Sequence, residues 1–320
     1  MDTKLILFSG TSGAGKSTTS KALAGHLERN GIQHLWIHEE ANDHPIRDGE
    51  FGHGELANST DMQKNIDEMF ERWKRLVGTI MKQDAVYVME GVLYENISRY
   101  LARAQYPTDR IQDYYDALLD IIAPTNPTVV HLYRGDIKQT LRCLSETRGK
   151  GWLDSQLDWQ WYPDMPADTE LTGDDAVYAL WHADQDKAQS NFERYTGSKV
   201  WLCTDEGRWE DYIQELTQHL GIEYRRPARP ELPNPEIYLG RYEVCNGDKT
   251  EAVEIKHDAA GLYCHGFWPC MRLDPMGPDH FAFLSFPMEI QFSRSKNEMS
   301  LRVSGSCGWK MVGKTLRRSD

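Results

Sequence analysis

The feature that most constrains this chain is the octapeptide GTSGAGKS at residues 10–17. It matches the phosphate-binding pattern G-x-x-x-x-G-K-[ST] at Gly10, Gly15, Lys16 and Ser17. A run of strand length, KLILFS, precedes it, and the segment that follows is compatible with a helix up to Gly31. Glycines let main-chain N–H groups wrap around a phosphate, and a helix N-terminus adds a favourable dipole. The octapeptide therefore predicts a nucleoside triphosphate site between a strand and a helix, against the alternative of a glycine-rich turn beside an ordinary lysine.

Individual roles follow from the chemistry of this loop. Lys16 is expected to contact the β- and γ-phosphates, and the Ser17 hydroxyl is expected to hold Mg²⁺. The full set of predicted nucleotide contacts is Gly10, Ser12, Gly13, Ala14, Gly15, Lys16, Ser17 and Thr18.

Composition limits the class of protein. The chain has 320 residues, enough for two domains with separate cores. We expect no membrane span, because no apolar run approaches the length of one. We also expect a cytoplasmic protein, because the N-terminus leads straight into a strand and the six cysteines form no C-x-x-C pair. The net charge of −13 is concentrated in residues 1–224. An acidic surface disfavours a nucleic acid as partner.

Residues 1–224 alternate strand-like and helix-like segments. Such alternation predicts an α/β fold with a parallel sheet covered by helices on both faces. Helices are expected near 62–80, 111–121, 136–151, 174–195 and 209–220. The five expected strands are KLILFS (4–9), QHLWIHEE (33–40), DAVYVMEGVL (84–93), TVVHLYRG (128–135) and SKVWLCTD (198–205).

The pattern changes after a proline-rich segment. Residues 225–236 carry four prolines and read as a linker between a first domain, 1–224, and a second, 237–320. The second domain contains short alternating runs such as HFAFLSF, EIQFSRS, MSLRVSG and WKMVGKTL, separated by turn residues. This pattern predicts a small antiparallel barrel or sandwich.

Carboxylates end two of the predicted parallel strands, where open α/β sheets bind ligands. Glu90 ends the third strand and is the candidate for the acid that orients Mg²⁺. Glu39 and Glu40 end the second strand, and one of them is the candidate general base toward an acceptor hydroxyl. The alternative is that these carboxylates are solvated or cap the next helix.

Phosphoryl transfer also needs cations near the equatorial oxygens. Arg142, Arg148 and Lys150 lie where a mobile lid could carry them, with Gly149 and Gly151 as hinges. The alternative is a solvated basic helix end.

These motifs carry a resemblance over about residues 1–222. GTSGAGKST, the Glu at the end of strand two, VYVMEG, and NPTVVHLYR followed by an arginine-bearing lid resemble the P-loop kinases of the nucleoside and thymidylate kinase branch. The resemblance implies transfer of the γ-phosphate of ATP to a small acceptor, with Mg²⁺ as cofactor. It places Glu90 as the strand-three acid, Glu39 or Glu40 as the base, and Arg142 and Arg148 as lid arginines. The C-terminal part is similar, in strand pattern alone, to the lipocalin-like β domain appended to some bacterial hydrolases.

One departure leaves the acceptor open. Many members of that branch place an arginine directly after the strand-three acid, where this chain has Gly91, and Arg99 is a candidate substitute.

The segment 152–186 is the other unusual feature. It holds nine Asp and Glu and no Lys or Arg, interleaved with six Trp and Tyr. An acidic aromatic wall would select a cationic acceptor, and the alternative is an insertion whose tryptophans pack on the core. The sequence thus predicts a small-molecule kinase for a nucleoside, a nucleotide or a cationic antibiotic-like acceptor, with no oligomer indicated. The competing class is a nucleotide-binding switch whose β domain binds a partner.

Overall fold

The strand before the phosphate loop, β1 (Leu5–Ser9), lies at the centre of the first of two structural units in the computed structural model. The structure describes residues 1–47, 62–94, 101, 106–158, 173–228, 230, 234–246, 249–295 and 298–319. The first unit comprises 1–39, 44–143 and 151–226, and the second comprises 40–43, 144–150 and 227–320.

A five-stranded parallel sheet forms the first unit, as the sequence predicts. Its strand order is β2-β3-β1-β4-β5. The strands beside β1 are β2 (His34–Ile37), β3 (Val86–Glu90), β4 (Thr128–Tyr133) and β5 (Ser198–Cys203). Parallel strands require crossovers, which helices supply here.

Helices pack on both faces of this sheet. They are α1 (Lys16–Arg29), α2 (Met62–Ile80), α3 (Thr108–Ile122), α4 (Ile137–Arg148), α5 (Lys150–Asp158), α6 (Gly173–Arg194) and α7 (Trp209–His219). Successive side chains of β1 point to opposite faces. Leu5 and Leu7 therefore join a core with α2 and α3, whereas Ile6 and Phe8 join a second core with α1 and α7. Among the described residues, no helix combines the length and apolar composition needed to cross a bilayer.

A closed antiparallel barrel forms most of the second unit. Of the two folds predicted for this part of the chain, a barrel or a sandwich, the barrel is the one observed. Its strand order is β10-β11-β12-β13-β6-β7-β8-β9, closed by the pairing of β9 with β10. The strands are β6 (Gly240–Asn246), β7 (Lys249–Asp258), β8 (Gly261–His265), β9 (Met271–Gly277), β10 (His280–Phe283), β11 (Met288–Ser295), β12 (Glu298–Gly305) and β13 (Thr315–Ser319).

Side chains fill the barrel interior. Along β11, Met288, Ile290 and Phe292 are buried, and the residues between them are exposed. The predicted strand WKMVGKTL is wrong over 309–313. These residues form turns in which the Val312 N–H donates to the Trp309 carbonyl (2.9 Å), while the Trp309 side chain packs into the barrel core.

The predicted domain limits, 1–224, 225–236 and 237–320, stay predictions. A 3₁₀ helix at Pro235–Tyr238 overlaps the end of the predicted linker, and the Tyr238 side chain belongs to the barrel core.

The separate cores generate a test of separability. Leu118→Ala removes a fully buried side chain of the first unit, and Phe292→Ala removes a buried side chain of the barrel. Such truncations cost about 2–5 kcal/mol in the free energy of unfolding. We expect calorimetry of the intact chain to resolve two transitions, each lowered by only one of the variants. A single transition that both variants lower equally would contradict the separation.

Candidate functional site

The phosphate loop requires glycine at both ends of its motif. Gly10 and Gly15 have φ angles of +138° and +96°, a region that residues with a Cβ rarely adopt. A Cβ on Gly10 would collide with the Leu132 carbonyl oxygen, and one on Gly15 would lie 2.5 Å from the Trp209 ring. Glycine is therefore required at these two positions both by the backbone conformation of the turn and by the close packing of β4 and α7.

Lys16 lies over the loop that it terminates. Its ammonium group donates to the carbonyl oxygens of Gly10 (2.7 Å) and Thr11 (3.4 Å), and the residue is only 9% exposed. Because this buried ammonium group is bonded only to neutral carbonyl oxygens in these two contacts, a bound anion could replace the carbonyls as its partner. This position fits the predicted contact with phosphate.

Ser17 and Glu90 meet at the carboxyl end of the sheet. Parallel register pairs Glu90 of β3 with Phe8 of β1, so the end of β3 lies beside the strand that enters the loop. The Ser17 hydroxyl donates to Glu90 Oε2 at 2.9 Å. Glu90 is fully buried, and burial, followed by the nearby Glu39 carboxylate, raises its pKa above the ordinary value, whereas Lys16 and Ser17 lower it.

The second oxygen of Glu90 supports a cation site. Glu90 Oε1 is buried and lies 3.2 Å from Nε2 of His38, without hydrogen-bond geometry. A hydroxyl and an under-coordinated carboxylate are the oxygen ligands that Mg²⁺ prefers, so Ser17 and Glu90 fit this ion. Among the described residues no group of three or more His, Cys, Asp or Glu could hold a metal.

The second strand ends at Ile37, so Glu39 and Glu40 lie in the turn after it and not in the strand as predicted, and the structure separates the two carboxylates. Glu39 belongs to the first unit, is 24% exposed, and makes a main-chain hydrogen bond to Glu90. Arg47 donates to the Glu39 carbonyl at 2.9 Å, and the same nitrogen lies 3.9 Å from the Glu39 carboxylate. Glu40 is exposed and belongs to the second unit. Glu39, rather than Glu40, is thus the carboxylate grouped with Glu90.

Three residues of this cluster escaped the sequence reasoning, namely His38, His44 and Arg47. His44 Nδ1 accepts the N–H groups of Ile46 (3.1 Å) and Arg47 (2.9 Å), which fixes the turn that presents Arg47. Burial, and then the Arg47 charge, lowers the pKa of His44 to about 3, so the ring is neutral. The available signal was the His- and Asp-rich loop directly after the second strand.

Two side chains from later in the chain donate hydrogen bonds to carbonyl oxygens of the phosphate loop. The Trp181 indole donates to the Ser12 carbonyl (3.1 Å), and the Thr204 hydroxyl donates to the Ala14 carbonyl (2.9 Å). Trp181 is 1% exposed and packs edge-to-face on Trp152. Trp181 is therefore a packed residue, as the alternative interpretation of segment 152–186 expects of its tryptophans. Residues 159–172 and Arg99 lie outside the described residues.

The predicted lid arginines fall in different units. Arg142 is exposed on α4 in the first unit. Arg148, the last residue of α4, belongs to the second unit, where its guanidinium lies 4.3 Å from the centre of the Trp268 ring.

Gly91 departs from the kinase pattern for a physical reason. Its φ angle is +67°, and a Cβ there would collide with the Glu39 carboxylate. The space in which a side chain after the strand-three acid would begin is therefore filled by Glu39.

Gly91→Ala tests this packing, and Gly31→Ala is its matched control. Gly31 has a φ angle of +68° with nothing within 4 Å of an added Cβ. Left-handed backbone strain costs roughly 1–2 kcal/mol in either variant. We expect Gly91→Ala to lose about 1–3 kcal/mol more in urea unfolding because Glu39 must move. Equal losses would mean that Glu39 does not fill this space.

Comparisons with known proteins give one family match and several similar solved structures. Residues 6–142, less than half of the chain, match the family model described as an AAA domain. No curated protein matches the sequence. Among solved structures, the chain is similar to a thymidylate kinase from Candida albicans (14% identity, 69% of this chain and 92% of that chain, TM-score 0.40). It is also similar to a deoxyadenosine kinase from M. mycoides with bound dATP (15% identity, 68% of this chain and 98% of that chain, TM-score 0.40).

Similarity at these values carries no argument about a substrate. The lipocalin-like resemblance of the barrel stays a prediction. The phosphate loop, the parallel sheet and the match to an AAA domain model agree with the P-loop part of the predicted resemblance, and its kinase branch stays a prediction.

Proposed function

We propose that this protein is an ATP- and Mg²⁺-dependent kinase that transfers the γ-phosphate to a hydroxyl or phosphate of a small acceptor. The observation that carries the proposal is the assembly at the sheet edge. There Ser17 of the phosphate loop hydrogen-bonds to the buried Glu90, and the partly exposed Glu39 lies beside Glu90. A transferase needs a site for the nucleotide and a second carboxylate, accessible to solvent, that can accept the proton of the acceptor.

The loop and Lys16 bind and orient the triphosphate in this proposal. Main-chain N–H groups at the start of α1 face the phosphates, and Lys16 gives up its bonds to the loop carbonyls for the β- and γ-phosphate oxygens. Because Lys16 is buried, its charge acts in a region of low dielectric, where it stabilises developing charge strongly.

Ser17 and Glu90 are the residues that would hold Mg²⁺. The ion, once bound there, would neutralise part of the charge on the phosphates. A nearby cation also favours the ionised form of the buried Glu90, which Lys16 and Ser17 already favour.

Glu39 is the proposed general base. Its carboxylate is exposed enough for an acceptor to reach, while Arg47 holds its main chain. An acceptor hydroxyl that attacks the γ-phosphorus would pass its proton to Glu39. Arg142 and Arg148 are proposed to neutralise the equatorial oxygens as the bond to the leaving ADP breaks.

The acceptor divides into two classes, a nucleoside or nucleotide and a cationic antibiotic-like compound. The acidic residues of 152–186 favour a cationic acceptor. Trp181 of the same segment does not support either class, because its indole donates to the phosphate loop. A phosphate-transfer screen with labelled ATP against nucleosides, nucleoside monophosphates and aminoglycoside-like compounds separates the classes. Hydrolysis of ATP that no acceptor of either class alters would favour the nucleotide switch instead.

Lys16→Ala tests the nucleotide site. Loss of one preorganised contact to a transferring phosphoryl group costs about 100- to 1,000-fold in kcat. We expect that loss in phosphate transfer, with the stabilisation by ATP in thermal unfolding also reduced. Lys21→Ala, in the same helix and placed against Trp36, is the control and should keep wild-type rates. Normal turnover in folded Lys16→Ala would refute the assignment.

A second set of variants separates the carboxylates by role. Glu39→Gln should lower kcat by about 100- to 10,000-fold, as loss of a general base does, with ATP affinity nearly unchanged. Glu90→Gln should raise the Mg²⁺ concentration needed for half-maximal rate. Glu40→Gln is the matched control, because Glu40 lies in the other unit. If Glu40→Gln fails and Glu39→Gln does not, the base is Glu40.

A further inference from the structure

One arginine at the carboxyl end of the parallel sheet has a side chain without a partner among the described residues. Arg134 directly follows β4, and its hydrogen bonds within the described part of the chain are made by its main chain. Its Nε atom is buried and has no hydrogen-bond partner there. Arginine carries a permanent positive charge, and a buried N–H donor without an acceptor is unfavourable. The guanidinium is therefore a cation that a bound anion would stabilise.

One side chain of α6 fixes the main chain of Arg134. The Gln185 amide accepts the Arg134 N–H at 3.1 Å and donates to the Arg134 carbonyl at 2.8 Å. Gln185 is 3% exposed, so water competes little for these two bonds. The backbone from which the arginine side chain starts is thus held at both of its polar groups, one residue beyond the end of the strand.

A carboxylate after β5 fixes the next two residues of the same turn. Asp205 Oδ2 accepts the Gly135 N–H at 3.0 Å, and Asp205 Oδ1 accepts the Asp136 N–H at 3.3 Å. Both oxygens of this carboxylate thus bind main-chain donors rather than the neighbouring guanidinium. The turn from β4 into α4 is consequently held at residues 134–136 by side chains of two other elements.

This turn lies beside the phosphate loop. The Thr204 hydroxyl donates to the Ala14 carbonyl of the loop at 2.9 Å and to the Tyr133 carbonyl at 3.2 Å. Tyr133 directly precedes Arg134. A single hydroxyl therefore joins the loop to the residue next to the arginine.

Helix α6 makes a second link between the loop and Arg134. The Trp181 indole donates to the Ser12 carbonyl at 3.1 Å, and Gln185, which holds Arg134, lies four residues further along the helix. Residues four apart lie on the same face of a helix. One face of α6 therefore contacts both the loop and Arg134, which places the arginine at the border of the nucleotide site, on the side of β4.

We propose that Arg134 is a further phosphate-binding residue, which contacts the phosphate groups of a nucleotide bound at the loop. The proposal rests on the nucleotide site of the proposed kinase function. The Nε–H and one terminal N–H of a guanidinium lie parallel and can donate to two oxygens of one phosphate group. That pair of bonds would supply the acceptor that the buried Nε lacks among the described residues. Arg134→Lys would keep the charge but lose the parallel pair of donors.

Binding of ATP with Mg²⁺ to the full chain, measured by isothermal titration calorimetry, tests the contact. Hydrogen bonds to charged groups correspond to about 10- to 150-fold in a dissociation constant. We expect Arg134→Ala to raise the Kd for ATP by that factor, and Arg134→Lys to raise it less. Lys138→Ala is the matched control and should leave the Kd unchanged, because Lys138 is an exposed cation of α4 that lies 5.3 Å from the centre of the Tyr178 ring. An unchanged Kd in Arg134→Ala would overturn the proposal.

Tripolyphosphate, which has neither a base nor a ribose, shows which part of the nucleotide Arg134 contacts. We expect Arg134→Ala to weaken the binding of tripolyphosphate by the same factor as that of ATP. If only ATP binding is weakened, the partner is the base or the ribose, and the assignment to phosphate is wrong.

Urea unfolding without a ligand separates binding from a structural role. We expect Arg134→Ala to unfold no earlier than the wild type, because the guanidinium has no partner among the described residues for the substitution to remove. An earlier midpoint together with an unchanged Kd would show that Arg134 is structural instead.

The proposed kinase function would fail in a different way. A wild-type chain that transfers no phosphate, but binds ATP with this dependence on Arg134, would contradict the kinase and support the phosphate contact. A wild-type chain that binds neither ATP nor tripolyphosphate would contradict the nucleotide site, and the role of Arg134 with it.

Discussion

The burial of Glu90 is the constraint on which the rest of the site depends. A carboxylate removed from water is strongly destabilised unless charges and donors compensate for the lost hydration. Here the compensation comes from Ser17 of the loop, the nearby Lys16 charge and the Glu39 main chain. The register of β3 beside β1 places Glu90 next to the loop, and the register of β3 beside β2 places it next to the chain at Glu39, so a shift of either would leave the carboxylate buried without a donor. The phosphate loop and the sheet are thus fixed by one polar interaction as well as by apolar packing.

The loop also depends on residues far away in sequence. Trp181 and Thr204 donate to loop carbonyls, and the ring of Trp209 closes over Gly15. These contacts satisfy two carbonyl oxygens of the loop, and the start of a helix leaves N–H groups that can bind an anion. The acidic segment therefore contributes at least one tryptophan to the shape of the nucleotide site, whatever its acids contribute to an acceptor.

Local patterns in the sequence predicted the parallel sheet, the strand end at Glu90 and the phosphate loop, because each depends on a short motif or a period, whereas the second strand ends at Ile37 and not at Glu40. Long-range contacts decided the rest. Nothing near Glu39 and Glu40 tells which of two adjacent carboxylates turns toward Glu90, since the choice depends on barrel residues at 306–307. The barrel was not separable from a sandwich, because closure is a pairing between β9 and β10 and not a property of either strand. The run at 309–313 alternates like a strand because Trp309 and Met311 are both buried in the barrel core, although from turns.

The exchange of segments between the units changes what an appended domain can do. A barrel tethered only by a flexible linker would influence the P-loop unit through its local concentration. Connections between the strands of this barrel instead contact residues 41–42, which begin two residues after Glu39, and residues 147–149 around the end of α4. Segments 40–43 and 144–150 thus belong to the fold of the second unit, and a cut at residue 227 would remove the residues that they contact.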